Sequence, residues 1–143
     1  MGSFKGQHKN KDLGTRGETL AEAYLIRHGW SIRVKNWRSH PYEIDLVAQK
    51  NDLLIFVEVK STAGTRTRNP RCRVHWTKGR SLRRAAYRYL GVHPFRGQIR
   101  FDLIECWLTP GQGGRCRHWE DFWAYDNLGL DQGLAQRFYL LGT

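Results

Sequence analysis

Three charged side chains stand in sequence segments that are otherwise suited to a protein interior. Residues 54–62, LIFVEVKST, are typical of a buried β-strand, yet they carry Glu58 and Lys60 two positions apart near their end. Asp45 lies in the preceding apolar segment, EIDLVAQ, at residues 43–49. Two carboxylates and a lysine brought together are groups that bind a divalent cation and stabilise charge developing at a phosphodiester.

The two segments that carry these charges are predicted to form a β-hairpin. If Asn51 and Asp52 are a two-residue turn, paired residue numbers sum to 103, and Asp45 lies directly opposite Glu58. Directly opposed side chains share a face of the sheet, and Lys60, two residues further on, points the same way. Adjacent carboxylates repel each other unless a cation joins them. We therefore predict that Asp45 and Glu58 bind Mg²⁺ or Mn²⁺, with Lys60 beside the ion.

The same residues have a simpler interpretation. Lys60 would form an internal salt bridge with Glu58 or Asp45 at the end of the sheet, and no ion would be bound. An acid followed by E-x-K occurs by chance in many strands, so these three residues do not by themselves decide between the two interpretations.

The elements around the hairpin are predicted from periodicity and from the residues that end helices. A first helix is predicted over residues 15–29, with Thr15 and Glu18 as a capping box and Gly29 as its stop. A second helix is predicted over 75–91. Further strands are predicted over 30–38 and 98–107. The predicted apolar side of the second helix is Leu82, Ala85, Ala86, Tyr89 and Leu90, with Arg80, Arg83, Arg84 and Arg88 opposite. The fold class is therefore α/β, with a mixed central sheet of four or more strands against which both helices pack.

Length and composition indicate one domain. A chain of 143 residues suits a single hydrophobic core. We predict a flexible basic arm over residues 1–13, one domain over 14–125 and a C-terminal tail over 126–143, for which a short helix is an open alternative. No apolar run approaches the roughly 20 residues that cross a bilayer, so we expect a cytoplasmic protein that does not enter a membrane.

The cysteines give no recognisable motif. Cys72, Cys106 and Cys116 are an odd number, and none is part of a C-x-x-C pair. We expect reduced thiols without a structural role, and we expect no zinc site, because the six histidines are scattered singly.

The distribution of charge favours a polyanionic partner. The chain has 24 Lys and Arg against 13 Asp and Glu, and residues 61–100 hold eleven basic side chains and no acidic one. A solubilising surface usually mixes both signs, so nucleic acid is the favoured partner. Lys78 is unusual because it falls on the apolar side of the second helix, where a phosphate contact and a snorkelling lysine are both plausible. The predicted nucleic-acid-binding residues are Arg66, Arg68, Arg71, Arg73, Lys78, Arg80, Arg84 and Arg88.

Five separated blocks resemble the YraN family, a group of small and largely uncharacterised bacterial proteins. The blocks lie within about residues 14 to 104 and read GTRGETLAEAYLIRHGWSIRVKNWR, YEIDLVAQ, FVEVKS, KGRSLRRAAYRYL and RFDLI. The resemblance implies kinship with the restriction-endonuclease-like, or PD-(D/E)xK, nucleases and with their mixed β-sheet flanked by helices. It also implies that Asp45, Glu58 and Lys60 are the catalytic core, with the two carboxylates as metal ligands.

The resemblance further implies a role for Glu18, the additional acid of Holliday-junction-resolvase-like members of that superfamily. Its place in the predicted capping box is the alternative explanation. Glu43 is either an outer ligand or a solvent-facing charge. Two residues depart from the family pattern: Tyr42 stands where Gly is common, and Thr62 stands where a basic residue is frequent. Both departures concern the handling of substrate and leave the core residues in place.

Three hypotheses of function follow. The first is a Mg²⁺- or Mn²⁺-dependent endonuclease that hydrolyses DNA, with branched or structured DNA implied by the resemblance alone. The second is a non-catalytic nucleic-acid-binding protein that uses the same basic surface. The third is a module that docks a protein partner through the aromatic segment around Trp119, Phe122, Trp123 and Tyr125. A homodimer remains open, because junction-cleaving enzymes act in pairs.

Overall fold

The computed structural model describes residues 4–64, 76–109, 111 and 113–123, with side chains from residue 11 in the first range and from residue 78 in the second. Residues 65–75 and the predicted tail over 126–143 lie outside this description. The chain order of the described elements is α1 (Phe4–Arg27), β1 (Ser31–Ser39), β2 (Tyr42–Lys50), β3 (Leu53–Ala63), α2 (Trp76–Val92), β4 (Gln98–Thr109) and β5 (Gly113–Trp119).

The five described strands form one mixed sheet in the spatial order β1-β2-β3-β4-β5. β3 and β4 are parallel, whereas the other neighbours are antiparallel. A parallel pair requires a crossover connection, and α2 lies in the connection between β3 and β4. The predicted α/β class with a mixed central sheet is therefore confirmed. β5 was not predicted, because its sequence, GGRCRHW, lacks the apolar alternation of a half-buried strand.

Each face of the sheet is covered by its own apolar cluster. On one face, α2 packs Leu82 and Leu90 against the sheet residues Phe56 and Leu103. The five predicted apolar residues of α2 are all buried, as expected from their spacing. On the opposite face, α1 contributes Ala21 and Leu25 to a cluster with Val57 and Ile104. Neither described helix is both long and apolar enough to cross a membrane.

The predicted hairpin register is confirmed over most of its length. β2 and β3 pair from Lys50 opposite Leu53 to Leu46 opposite Val57. Asn51, in the turn, has a φ of 54°, a left-handed conformation that Asn tolerates better than most residues because its short side chain hydrogen-bonds locally.

The predicted start of α1 is wrong. α1 begins at Phe4, so residues 4–13, predicted as part of a flexible arm, are helical. Thr15 does not cap the helix, because its hydroxyl donates a 3.0 Å hydrogen bond to the carbonyl of Lys11 one turn back. That bond satisfies the hydroxyl within a continuing helix. Glu18 consequently has no capping role that would explain its presence.

The aromatic segment after β5 folds back over α2. Phe122 and Trp123 are buried and belong to the α2-side cluster. Arg83, predicted on the exposed side of α2, is also buried, because its guanidinium lies 4.6 Å from the ring centroid of Phe101 and donates to the carbonyl of Trp123. Phe122 and Trp123 are therefore core residues, and the hypothesis that the aromatic C-terminal segment docks a protein partner stays a prediction.

Candidate metal centre and nucleic-acid interface

Asp45 lies where the alternation of β2 is interrupted. Ile44 and Val47 both pack on the α2 side of the sheet, whereas Leu46 packs on the α1 side. A regular strand would place Ile44 and Leu46 on the same face, so the backbone rotates at Asp45. The last described pair of the hairpin is Leu46 opposite Val57, and Asp45 is one residue beyond it.

The side chain of Asp45 makes a hydrogen bond to β3 at the point where the backbone hydrogen bonds between β2 and β3 have ended. The backbone N–H of Val59 donates a 2.8 Å hydrogen bond to Oδ2 of Asp45. The carboxylate therefore lies across the gap that opens between β2 and β3. The Asp45 side chain therefore contacts Glu58 from the interrupted part of β2. It is not the directly opposed ladder partner of Glu58 that was predicted.

Glu58 and Lys60 face the α2 side of the sheet. Val57 and Val59 belong to the α1-side cluster, so the residues that alternate with them point the other way. The side chain of Glu58 is only 13% exposed, and its Oε1 lies 3.4 Å from Nζ of Lys78 in the first turn of α2. The cation that neutralises Glu58 is therefore Lys78. The alternative of a salt bridge from Lys60 is wrong within the described residues, where no hydrogen bond or ion pair involves Lys60.

The two carboxyl groups strongly influence each other's protonation. Burial and the negative charge of Glu58 raise the pKa of Asp45 to about 8, although the Val59 N–H opposes this rise. Burial likewise raises the pKa of Glu58, against the ion pair with Lys78 and a hydrogen bond from Asp45. Glu58 in turn raises the pKa of Lys78. The hydrogen bond between the Asp45 and Glu58 side chains places the two carboxyl groups in direct contact.

Glu18 and Glu43 each affect the pKa of one carboxyl of this pair. The charge of Glu18, on α1, raises the pKa of Asp45 by less than the charge of Glu58 does. Gly17, its neighbour, packs so closely against Ser61 of β3 that any side chain there would collide with it. Glu43 raises the pKa of Glu58 and forms an exposed ion pair of 3.7 Å with Arg38.

The donor set fits a hard divalent cation. Among the residues with described side chains, no group of three or more His, Cys, Asp or Glu is arranged to hold a metal ion. Mg²⁺ is nevertheless commonly held by one or two carboxylates, with water and substrate phosphate as further ligands. Asp45 and Glu58 offer such a pair of oxygen donors. Zinc is a poorer match, because its sites use nitrogen and sulfur ligands that this pair lacks.

Sequence analysis missed Glu105 of β4. It is fully buried, and it faces the α2 side because Phe101 and Leu103, at alternate positions, do so. In the parallel register it lies beside Lys60. The available signal was a second acidic residue, besides Asp102, in the predicted strand QIRFDLIECW.

The predicted nucleic-acid-binding arginines fall into three groups. Arg66, Arg68, Arg71 and Arg73 lie outside the described residues. Arg80 is exposed, and no hydrogen bond or ion pair of the described residues involves it. Arg84 and Arg88 instead contact the β1–β2 turn and the start of β2.

Tyr42 is held by these two arginines of α2. Arg84 Nη1 donates a 3.2 Å hydrogen bond to the Tyr42 hydroxyl, and the guanidinium of Arg88 lies 4.8 Å from the centroid of its ring. Arg88 Nη1 also donates to the carbonyls of Ser39 and His40 at 3.3 and 3.1 Å. These contacts fasten the β1–β2 turn to α2, so Arg88 has a structural role that sequence analysis did not foresee.

A second buried polar cluster was also missed. Asp102 of β4 accepts hydrogen bonds from Arg100 at 2.8 Å, His118 at 2.6 Å and the backbone N–H of Asp121 at 2.9 Å. Burial would raise the pKa of Asp102, but these hydrogen bonds outweigh it and lower the pKa. Because the donors come from β4, β5 and the following turn, the cluster joins the edge strand β5 and this turn to β4.

Comparison with known proteins identifies relatives over most of this architecture. The sequence model described as "Uncharacterised protein family UPF0102" matches residues 17–106. A UPF0102 protein of Myxococcus xanthus is 37% identical over 108 residues, which cover 75% of this chain and 83% of the relative. One from Bacteroides thetaiotaomicron is 38% identical over 109 residues, covering 76% and 88%. One from Rhodococcus jostii is 37% identical over 115 residues, covering 78% and 96%. These matches confirm the resemblance to the YraN family, which is the same group of proteins.

Proposed function

This chain belongs to the uncharacterised protein family UPF0102, and we propose that it is a metal-dependent endonuclease that hydrolyses phosphodiester bonds in nucleic acid, with DNA as the favoured substrate. The names of the relatives assign no activity, so the proposal depends on the chemistry of the site. The observation that carries it is the contact between two half-buried carboxyl groups, Asp45 and Glu58, at the end of the β2–β3 hairpin.

The contact between Asp45 and Glu58 lowers the stability of the folded protein unless a cation joins the two carboxylates. Two carboxyls held together in a largely buried site repel each other when both are ionised, which is one reason that the pKa of Asp45 is raised. A residue pair kept for structure alone would be expected to avoid this cost, since an apolar or amide pair of similar size packs equally well. Perturbed carboxyls that converge with a lysine are typical of functional sites.

The residues of the chain have distinct parts in the proposal. Asp45 and Glu58 would hold Mg²⁺ or Mn²⁺, and Val59 orients the Asp45 carboxylate through its backbone N–H. Bound there, the ion would supply Lewis-acid stabilisation of the phosphate oxygens. Lys60 faces the same side of the sheet as Glu58 and is exposed, so its ammonium is free to stabilise negative charge on a phosphate. Glu18 acts on Asp45 through its charge alone in the metal-free protein.

The basic surface beside the carboxyls supports a polyanionic substrate. Lys78 and Arg80 occupy the first turns of α2, and both are exposed. Residues 61–100 contain no acidic side chain, although Glu58 of β3 pairs with Lys78. A nuclease needs such a field, because its substrate carries one negative charge per phosphate. Branched DNA, implied only by the family resemblance, belongs to the set of substrates to be tested.

A non-catalytic nucleic-acid-binding protein is the second candidate. It is favoured by the ion pair between Lys78 and Glu58, which already neutralises one carboxylate without a metal. It is also favoured by the limited number of ligands, since the described residues provide no cluster of three. In this candidate function the basic surface binds DNA and the carboxyl pair has no chemical role.

A cleavage assay on the full chain separates the two candidates. Supercoiled plasmid, linear duplex, a four-way junction and single-stranded DNA and RNA are each incubated with EDTA, Mg²⁺ or Mn²⁺. We expect cleavage of at least one DNA form with metal only, and a loss of roughly 10²-fold or more in Asp45→Asn and Glu58→Gln. Both variants should bind DNA as tightly as the wild type or more tightly.

Asp52→Asn is the matched control, because Asp52 is an exposed carboxylate at the far end of the same hairpin. It should cleave like the wild type. DNA binding without cleavage of any substrate, with unchanged binding in all three variants, would favour the second candidate and contradict the nuclease.

A further inference from the structure

Two cysteine side chains lie in contact across β4 and β5. Cys106 and Cys116 are directly opposed in the antiparallel pair. Their Sγ atoms are 3.0 Å apart, and both thiols are free. Carbon atoms of packed side chains lie roughly 3.5–4.0 Å apart, so the two sulfur atoms are closer than atoms in an ordinary contact between core side chains. The sequence did not indicate that these two thiols are neighbours.

The backbone geometry allows the two sulfurs to bond without a change of register. Directly opposed residues in an antiparallel pair have Cα atoms about 4.5–5.5 Å apart, and disulfides span Cα separations of about 4.4–6.8 Å. Bond formation needs the sulfurs to close from 3.0 Å to about 2.05 Å. Small rotations about the side-chain bonds are sufficient for this movement.

The two thiols differ in the way that a stepwise oxidation requires. Cys116 is partly exposed, and a hydrogen bond from Cys106 together with the charge of Arg27 lowers its pKa against the effect of burial. Cys106 is buried, and its hydrogen bond with Cys116 and its burial raise its pKa. The thiolate is the reactive form of cysteine. Cys116 is thus the thiol that reacts first with an oxidant, and Cys106 is the neighbouring thiol that reacts second.

We propose that Cys106 and Cys116 form a reversible oxidation site that closes to an intramolecular disulfide when the protein meets a peroxide. The Cys116 thiolate attacks one oxygen of hydrogen peroxide, the O–O bond breaks, and a sulfenic acid and hydroxide result. Cys106 then gives up its proton, and its sulfur attacks Sγ of Cys116, which releases the sulfenic oxygen as water. Hydroxide takes up the proton that Cys116 lost when it ionised. In total, two thiols and one peroxide give one disulfide and two waters, and two electrons pass from sulfur to oxygen.

The site borders the segment of α1 that lies against the end of β3. In the reduced protein Sγ of Cys106 also lies 3.4 Å from the carbonyl of Gly17, to which it donates when its single proton is not directed at Cys116. The disulfide removes that donor. Gly17 packs against Ser61 and precedes Glu18. Oxidation therefore changes a contact between β4 and the part of α1 that carries Glu18. The proposal itself concerns the thiols and holds whether or not the protein is a nuclease.

The test is peptide mapping after mild oxidation of the full folded chain. The protein is treated with hydrogen peroxide, the remaining thiols are alkylated, and tryptic peptides are analysed by mass spectrometry. We expect residues 101–115 linked to residues 116–117, with the mass of two hydrogen atoms lost, and recovery of both thiols after dithiothreitol. The Tm of the oxidised protein should rise by on the order of 3–8 °C.

Three variants control the assignment. Cys72→Ser should give the same crosslink in the same yield, because Cys72 takes no part. Cys116→Ser should leave Cys106 as an alkylatable thiol, and Cys106→Ala should stop at the sulfenic acid of Cys116, which dithiothreitol reduces. Neither variant should form the crosslink or show a rise in Tm. The proposal is overturned if oxidised wild type carries a crosslink to Cys72, if Cys116 proceeds to sulfinic acid with Cys106 still reduced, or if neither thiol reacts.

Discussion

The backbone N–H of Val59 donates a 2.8 Å hydrogen bond to Oδ2 of Asp45, and this bond fixes the Asp45 carboxyl group beside Glu58. It replaces the ladder hydrogen bonds that stop one residue earlier, at Leu46 and Val57. An asparagine at position 45 retains an oxygen that can accept the same bond. Asp45→Asn therefore removes the charge while it preserves this contact, which makes it the informative substitution at the site.

The metal-free protein should become less stable as the pH rises from about 5 to 9. Asp45 has a pKa of about 8 in the folded protein, raised by burial and by Glu58, against an ordinary value of 3.8. Between these values the folded state binds more protons than the unfolded state, so the free energy of unfolding falls with pH. The contribution is fully present below pH 3.8 and is lost as the pH passes through 8. Urea denaturation in EDTA should show a loss on the order of a few kcal/mol.

Asp45→Asn provides the comparison for this pH dependence. Its stability should change less than that of the wild type over the same range, and at pH 9 it should exceed the wild type. Equal pH dependence of the two proteins would show that Asp45 does not carry the raised pKa.

Addition of Mn²⁺ should stabilise the protein more at pH 8.5 than at pH 6. Metal ligation by Asp45 and Glu58 requires both carboxyls to be ionised, so the cation competes with the proton on Asp45. The rise in Tm at a fixed Mn²⁺ concentration is the measurement. Glu58→Gln should abolish most of this rise, and the control Asp52→Asn should preserve it. A rise independent of pH would argue against ligation by the pair.

Replacement of Lys78 by Met should tighten the binding of Mn²⁺. The Lys78 ammonium lies 3.4 Å from Glu58 Oε1 and neutralises it, so it competes with a cation for the same carboxylate. Removal of this charge should lower the Kd by roughly 3–10-fold, as measured by isothermal titration calorimetry. Lys35→Met is the control, because Lys35 pairs with Glu22, and it should bind Mn²⁺ like the wild type. Weaker binding in Lys78→Met would mean that Lys78 supports the metal centre.

The arginines of α2 should separate into binding and structural residues. Arg80 is exposed, so Arg80→Ala should weaken DNA binding and reduce the slope of log K against log salt by about one. Arg88 fastens Tyr42 and the turn at Ser39 and His40. Arg88→Ala should therefore lower the free energy of unfolding by about 1 kcal/mol. The reverse pattern, with Arg80 needed for stability and Arg88 contributing only to binding, would contradict this division.

Periodicity and turn chemistry were sufficient to predict most of the fold. The apolar spacing of α2 and the Asn51–Asp52 turn are local features, and both are found in the structure. The start of α1 could not be predicted in this way, because the Thr15–Glu18 pattern suits a capping box and an internal helical turn equally well. β5 lacks an apolar pattern, and it pairs with β4 at the edge of the sheet.

The site was predicted in part because its two carboxylates belong to one hairpin. The contact of Asp45 with Glu58 followed from the register, although the strand is interrupted at Asp45. The pairing of Lys78 with Glu58 depends on how α2 docks on the sheet, and no local pattern encodes that. The contact of Cys106 with Cys116 depends on the register of β5 against β4, so it could not be predicted from a local sequence pattern either.

The most direct test of the metal centre is anomalous diffraction from a crystal soaked in Mn²⁺ at a pH above 8, where Asp45 is mostly ionised. The account predicts a manganese peak within about 2.0–2.4 Å of carboxylate oxygens from both Asp45 and Glu58. The Lys78 ammonium should move away from Glu58 in the same crystal. An absence of any peak between the two carboxylates, with Lys78 still paired to Glu58, would contradict the central claim.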